Sequence, residues 1–208
     1  DYVDLYQVHW PARAVTTLGR SRFSLIPDPP DLTPIEDTLA ALGELVVEGK
    51  VRQIGVCNES PWVGMRYLAA AERAGLPRVA SIQNHYSLLD RQFELGLAEI
   101  AVREQVGLIA HSSLAGGLLT GKYSEHAAPI AGSRSAAMAG FAQARFTPKK
   151  LAATQAYIDL ARRHGLEPAD LALAFVRQKP FTTAVLMAAS SAAQLERNLK
   201  GLDVTLPP

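Results

Sequence analysis

An α/β fold built on a parallel sheet is what this chain of 208 residues predicts, and three observations predict it. Short β-branched runs alternate with stretches of helical periodicity. The runs are apolar almost throughout, as strands covered on both faces are. Polar residues stand at the C-terminal ends of successive runs: His9, Asn58, Gln83, Ser112 and Ser190.

Taken in order, the first strand is Val3 to His9. Thr33-Pro34-Ile35-Glu36 reads as a capping box with proline at the first helical position. The helix it opens buries Leu39, Leu42 and Val46 and stops at Gly49. Val51 to Cys57 is the second strand. Ser60-Pro61 opens a helix that Gly75 closes before Pro77, and Val79 to Gln83 is the third strand. Arg91 to Glu104 is a helix, Val106 to Ser112 the fourth strand, and Ala115 to Thr147 a long loop rich in Gly, Ala and Ser. Thr147-Pro148 begins a helix ending at His164-Gly165, and Glu167-Pro168 begins another running to Gln178. Thr182 to Met187 is the fifth strand and Ser190 to Leu202 the last helix. Two architectures carry this order, a doubly wound open sheet and part of an eight-stranded (β/α)8 TIM barrel. No G-x-G-x-x-G turn follows any strand, which counts against a doubly wound dinucleotide site. Polar strand ends fit the barrel, whose sites lie at that face.

Apolar residues make up 48% and charged residues 20%, close to globular averages. Lys+Arg 21 against Asp+Glu 20 leaves a formal charge of +1 with no long run of either sign. That balance argues against nucleic acid or a membrane surface as partner. One cysteine excludes an internal disulfide framework and a cysteine-based zinc site. Histidines at ligand spacing are absent, so no metal is expected. No apolar stretch reaches the ~18 residues of a membrane span, and no basic segment leads into an apolar one. A cytoplasmic location is expected. Oligomeric state is not encoded in any of these features.

Six motifs then carry a resemblance, in one order along nearly the whole chain. Tyr2-Val3-Asp4-Leu5-Tyr6-Gln7-Val8-His9-Trp10-Pro11 resembles the fourth barrel strand of the aldo-keto reductases, which ends in the His of an Asp–Tyr–Lys–His tetrad. Gly49-Lys50-Val51-Arg52-Gln53-Ile54-Gly55-Val56-Cys57-Asn58 resembles the family's GKIRxIGVSN. Ile82-Gln83-Asn84 resembles its xQN, and Ala110-His111-Ser112-Ser113-Leu114 its AYSPL. Gly117-Leu118-Leu119-Thr120-Gly121-Lys122-Tyr123 is similar to GLLTGKY. Ala189-Ser190-Ser191 with Gln194-Leu195 and Asn198 resembles GASxxxQLxxN. Within the superfamily the chain is most similar to the bacterial Tas-like branch, near the potassium-channel β-subunits. The D-x-A-x-x-Y-G motif that bears the family's Asp and Tyr is not found here, nor the strand bearing its Lys. The resemblance therefore implies about five of eight βα units, strands four to eight, without the first three units or the C-terminal helices.

What the resemblance implies chemically is NADP(H)-dependent hydride transfer between nicotinamide and an aldehyde or ketone, a small carbonyl substrate. His9 is implied as the tetrad His, orienting the carbonyl; by residue pattern alone it reads first as a core histidine bonded to a backbone carbonyl. Asn58 and Gln83 are implied to hold the nicotinamide carboxamide, which their amides can match. Cys57 stands where Ser is usual, which weakens one bond to the cofactor; it also reads as a small buried hydrophobe. His111 occupies the place of the aromatic residue that stacks on the nicotinamide. Ser112, Ser113, Leu114 and Gly116 lie on a strand end and small-residue turn whose N–H groups can approach a pyrophosphate. Lys122 and Arg134 match basic residues near the adenosine phosphate.

The last helix puts Ser190, Gln194, Arg197 and Asn198 on one face and Leu195, Leu199 and Leu202 on the other, which is expected to be the core face. The first face is either a solvated stripe or, as the family implies, the seat of the 2′-phosphate and adenine. Ala188 replaces a Gly there, and Arg197 a usually acidic residue. Glu44, Glu48, Lys50, Arg162, Arg163 and His164 read as structural charges. The loop from Tyr123 to Thr147 reads as a cofactor lid. The competing functional reading is a nucleotide-binding regulatory subunit or inactive remnant. A lyase or isomerase on an unrelated barrel lacks the phosphate and paired-carboxylate signatures it requires.

Overall fold

Five β-branched segments become strands: β1 (Val3–Val8), β2 (Val51–Cys57), β3 (Val79–His85), β4 (Gly107–His111) and β5 (Thr182–Val185). They form one sheet in the order β1-β2-β3-β4-β5, with β1–β2 and β2–β3 parallel and in the registers Val8↔Val56 and Cys57↔Gln83. The computed structural model describes residues 1–13, 26–123 and 146–207. The chain divides into two compact units, Asp1–His85 with Gln92–Ile109, and Tyr86–Arg91 with Ala110–Pro208. This is an α/β fold with a parallel sheet of five strands, consistent with part of a (β/α)8 barrel.

In the first unit α1 (Ile35–Val47) and α2 (Pro61–Ala74) connect the strands, followed by a 3₁₀ turn (Gln92–Leu95) and α3 (Leu97–Arg103). Leu39, Ile54, Val56, Val63, Ile82 and Leu108 are fully buried and make its core, each contributing roughly 1.5–3 kcal/mol. α2 begins and ends as its sequence dictates, with Pro61 in the first turn and Gly75 left-handed at φ 63°.

Several expectations change. α1 starts at Ile35 with Pro34 as its extended cap residue and no side-chain cap bond, so Thr33 does not form the expected capping box. Val46 is only half-buried. The single helix expected from Arg91 to Glu104 is two pieces, because Gly96 at φ 148° breaks the helical path; a Cβ there would meet Pro61 Cγ at 3.1 Å. β3 runs two residues further than expected, to His85. β1 is not covered on both faces: Tyr2 just before it and Val3 and Tyr6 on it are about half exposed, since β1 is an edge of the described sheet.

The second unit holds a 3₁₀ turn (Ala115–Thr120), α4 (Pro148–Arg163), α5 (Pro168–Arg177) and α6 (Ala192–Gly201). Its core joins Leu119, Ala161, Leu171 and Ala172, with Tyr86 stacked on Phe175 at 5.8 Å and edge-on to Phe181 at 5.2 Å. The 3₁₀ turn occupies the start of the expected loop. β5 stops at Val185, two residues short of expectation. Thr147 caps α4 by accepting from the Lys150 N–H. The last helix begins after Ser190, with Ser191 as its cap, and its faces are reversed. Leu195 and Leu199 are 43% and 49% exposed, whereas Asn198 and Gly201 are buried. Gly201 explains this, for a Cβ there would stand 2.7 Å from Asp170 Oδ1 and 3.1 Å from Asp170 Cα. α6 meets α5 at its glycine, and Gln194, Asn198 and Gly201, spaced i, i+4, i+7, follow it inward.

Candidate functional site

In the first unit the strand ends bring His9, Asn58 and Gln83 to one end of the sheet. Asn58 leaves β2 in the left-handed region at φ 59°, an uncommon conformation for a residue other than glycine. It is 7% exposed. Its Nδ2 donates to the His9 carbonyl at 2.9 Å, and its own N–H donates to the Gln83 carbonyl at 3.0 Å. The His9 ring is exposed and stacks on Trp10, centroids 5.6 Å apart, so it is not the core histidine that the pattern allowed. One amide hydrogen of Asn58 is thus committed, leaving Oδ1 and the second hydrogen for a ligand. Cys57 is 2% exposed. Burial pushes its thiol up to about 11, against bonds from the Asn58 backbone and the Gln83 side chain, so it is a neutral thiol packed in the core.

Sequence reasoning missed the layer behind these residues. Glu59 is 5% exposed; burial holds its carboxyl above the ordinary range, while the Arg13 guanidinium, 3.0 Å away, pulls the other way. Arg13 also donates to Ser60 Oγ at 3.1 Å. Asn84 pairs reciprocally with the Glu59 backbone, Nδ2 to O at 2.9 Å and N to Oδ1 at 3.2 Å. The xQN motif pointed at Asn84, but the isolated Glu59 and Arg13 carried no signal.

In the second unit the β4 end runs His111, Ser112, Ser113, Leu114. His111 Nδ1 lies 3.3 Å from Ser112 Oγ. Ser112, Ala115, Gly116 and Gly117 all have positive φ, at 60°, 50°, 69° and 98°. Ser113 is 2% exposed and its buried Oγ has no partner among the described residues. Leu114 belongs to the core instead, its side chain packed against the cluster and its carbonyl accepting from Gly117 and Leu119. The N–H groups of Ala115, Gly117 and Leu119 are spent within the turn.

Lys122, Gln194, Arg197 and Asn198 do come together, lining a cavity of about 590 Å³ with Arg162, Glu167 and Asp170. Among the described residues none of the three cations is in an ion pair. Asn198 is 4% exposed and its Nδ2 has no partner among the described residues. Asp170 is raised by burial first and by Glu167 second. Arg162, expected as a structural charge, faces this cavity, because α4 and α5 both reach it. Ser190 and Ala188 are exposed and do not line it. Ser190 instead donates from N and Oγ to Gln194 Oε1, at 2.8 and 2.9 Å. Arg134 and the greater part of the expected lid lie outside the described residues; Phe146 sits edge-on to Tyr123 at 5.0 Å.

The model of the aldo/keto reductase family matches residues 1–208. The chain belongs to the aldo/keto reductase family. It is 46% identical to the protein tas of Escherichia coli over 207 residues, 99% of this chain and 59% of that protein. To an aldo-keto reductase of Babesia bovis it is 33% identical, over 96% of this chain and 73% of that one. An Escherichia coli relative named NADH-specific methylglyoxal reductase is 29% identical over 99% of this chain and 56% of its own length. The chain thus spans 59% of the length of the tas proteins it matches. A family match along all 208 residues does not itself bear out the expectation of a C-terminal part only. As for membranes, no helix among the described residues is long and apolar enough to cross one.

Proposed function

We propose that this aldo/keto reductase chain serves NADP(H)-dependent reduction of an aldehyde or ketone, and that its five strands are part of a (β/α)8 barrel. The observation that supports the reading best is the second-unit cavity, where, among the described residues, Lys122, Arg162 and Arg197 stand without ion pairs around a buried Asn198 amide that has no partner. Three cations fit an adenosine 2′-phosphate, and a buried amide donor fits a ring-nitrogen acceptor. The orphaned Ser113 Oγ fits a phosphate oxygen. Lys122, Gln194, Arg197 and Asn198 hold the adenosine phosphate; Ser112, Ser113 and Gly116 face the pyrophosphate, and His111 the nicotinamide. When bound, the dinucleotide supplies the hydride. Asn58 and Gln83 hold its carboxamide, and His9 donates a hydrogen bond to the substrate carbonyl oxygen, help worth ~10²–10⁴-fold in rate.

One relative is named for NADH, so the cofactor is tested directly by titrating the chain with NADPH, NADH and 2′,5′-ADP in a calorimeter. NADPH should bind at least ~10-fold tighter than NADH, as one or two charge-assisted bonds predict, and 2′,5′-ADP should compete. Equal affinities, or no binding, overturn the assignment. The second reading is the one the sequence left open, an NADP(H)-binding regulatory chain without turnover. Adding a small aldehyde to the NADPH complex, in a protein that also supplies the tetrad Asp, Tyr and Lys, separates the two, since oxidation of NADPH belongs to the reductase alone.

A further inference from the structure

We propose that Arg13, Glu59 and Asn84 form a clamp that positions His9 and Asn58. The clamp rests on reading those two residues as the reacting and binding groups, but its geometry is complete within the first unit. A carboxylate 5% exposed, such as that of Glu59, needs a counterion and hydrogen bonds to remain charged. It has both in Arg13 at 3.0 Å, a residue 46 positions away in the chain and four after His9. Arg13 reaches on to Ser60 Oγ, so the segment leaving β1 is tied to the two residues after Asn58.

Asn84 works from the third strand. Its reciprocal bonds fix both peptide groups of Glu59, and the Asn58 N–H is fixed by the Gln83 carbonyl. Asn58 sits between these anchors in the left-handed region at φ 59°, which asparagine tolerates better than other residues that carry a Cβ. From there its Nδ2 holds the His9 carbonyl at 2.9 Å. Among the described residues the His9 ring has Trp10 as its contact, so its position is set through the backbone. Each link ends on the next: ion pair to Glu59, Glu59 backbone to Asn58, Asn58 amide to His9. These are positioning residues, because none of the three is read as touching substrate or cofactor.

The test uses the 208-residue chain and side-chain NMR. Ring ¹⁵N–¹H signals of His9, assigned by His9→Gln, and the Asn58 side-chain amide are followed in Arg13→Gln, Glu59→Gln and Asn84→Ala. Each variant should move the His9 ring signals and speed Asn58 amide exchange roughly tenfold or more, while the Val8 and Val56 backbone signals stay in place. Arg13→Lys, which keeps the charge, should restore the His9 signals in large part. His9 and Asn58 signals at their original positions in a folded Arg13→Gln protein overturn the clamp. If that variant does not fold, Asn84→Ala removes no charge and decides in the same way. Failure of the chain to bind NADPH overturns the reductase reading and leaves the His9 readout as informative as before.

Discussion

Glu59 gives the first unit a pH dependence whose sign is fixed by its position. Burial raises its folded proton affinity above that of the unfolded chain, in spite of Arg13. The stability it contributes is therefore fully present below the ordinary glutamate range and is lost as pH rises through the raised folded value. Glu59→Gln is neutral at every pH. Urea unfolding at steps from about pH 4 to 7 should show the original protein losing stability relative to Glu59→Gln as pH rises. Parallel curves would show that Arg13 fully offsets the burial. Residues such as His9, Asn58 and Gln83 were legible in the sequence because strand ends are punctuated by polar residues after apolar runs. Glu59 was not, since a single acid before Ser60-Pro61 looks like a helix approach. Its partner is 46 residues away, a distance that no local pattern crosses.

Among the elements, α6 separates what periodicity can and cannot reveal. The sequence shows a helix with a leucine stripe and a polar stripe, and both exist. Which stripe turns inward depends on the neighbour, and the approach of Asp170 to Gly201 turns the polar one. Gln194 and Asn198 thus line one cavity with Lys122 and Arg197, while Leu195 and Leu199, expected on the core face, are exposed. Leu195→Gln with Leu199→Gln should change stability by under about 1 kcal/mol in thermal or urea unfolding, as surface changes do. Leu173→Ala, at a fully buried position on α5, should cost roughly 2–5 kcal/mol. A large loss in the α6 double variant would show that its leucines are covered. By contrast α2 needed no neighbour to be read correctly, because Pro61 and Gly75 fix both ends locally.

Over the whole molecule the sheet order leaves β1 and β5 as the outer strands of the described sheet. The sequence led to five strands, and five stand among the described residues; the half-exposed character of β1 was hidden because Val3, Leu5 and Val8 read as core in any strand. Tyr2, Val3 and Tyr6 lie exposed along that edge, and open edges with apolar side chains template pairing with other chains. Sedimentation velocity should find concentration-dependent self-association of this chain, reduced by Tyr6→Lys. A single monomer boundary at every concentration would mean that the edge is already protected.

Asn198 carries a cost of its own. A buried amide donor without a partner destabilises the protein by about 1–3 kcal/mol, and Leu at that position would remove the cost. A library selected for survival at high temperature should therefore drift away from Asn198, whereas one selected for holding a nucleotide should retain it. The divergence between those two populations would measure, in the currency of selection, how far the cavity has been kept for a ligand at the expense of the fold.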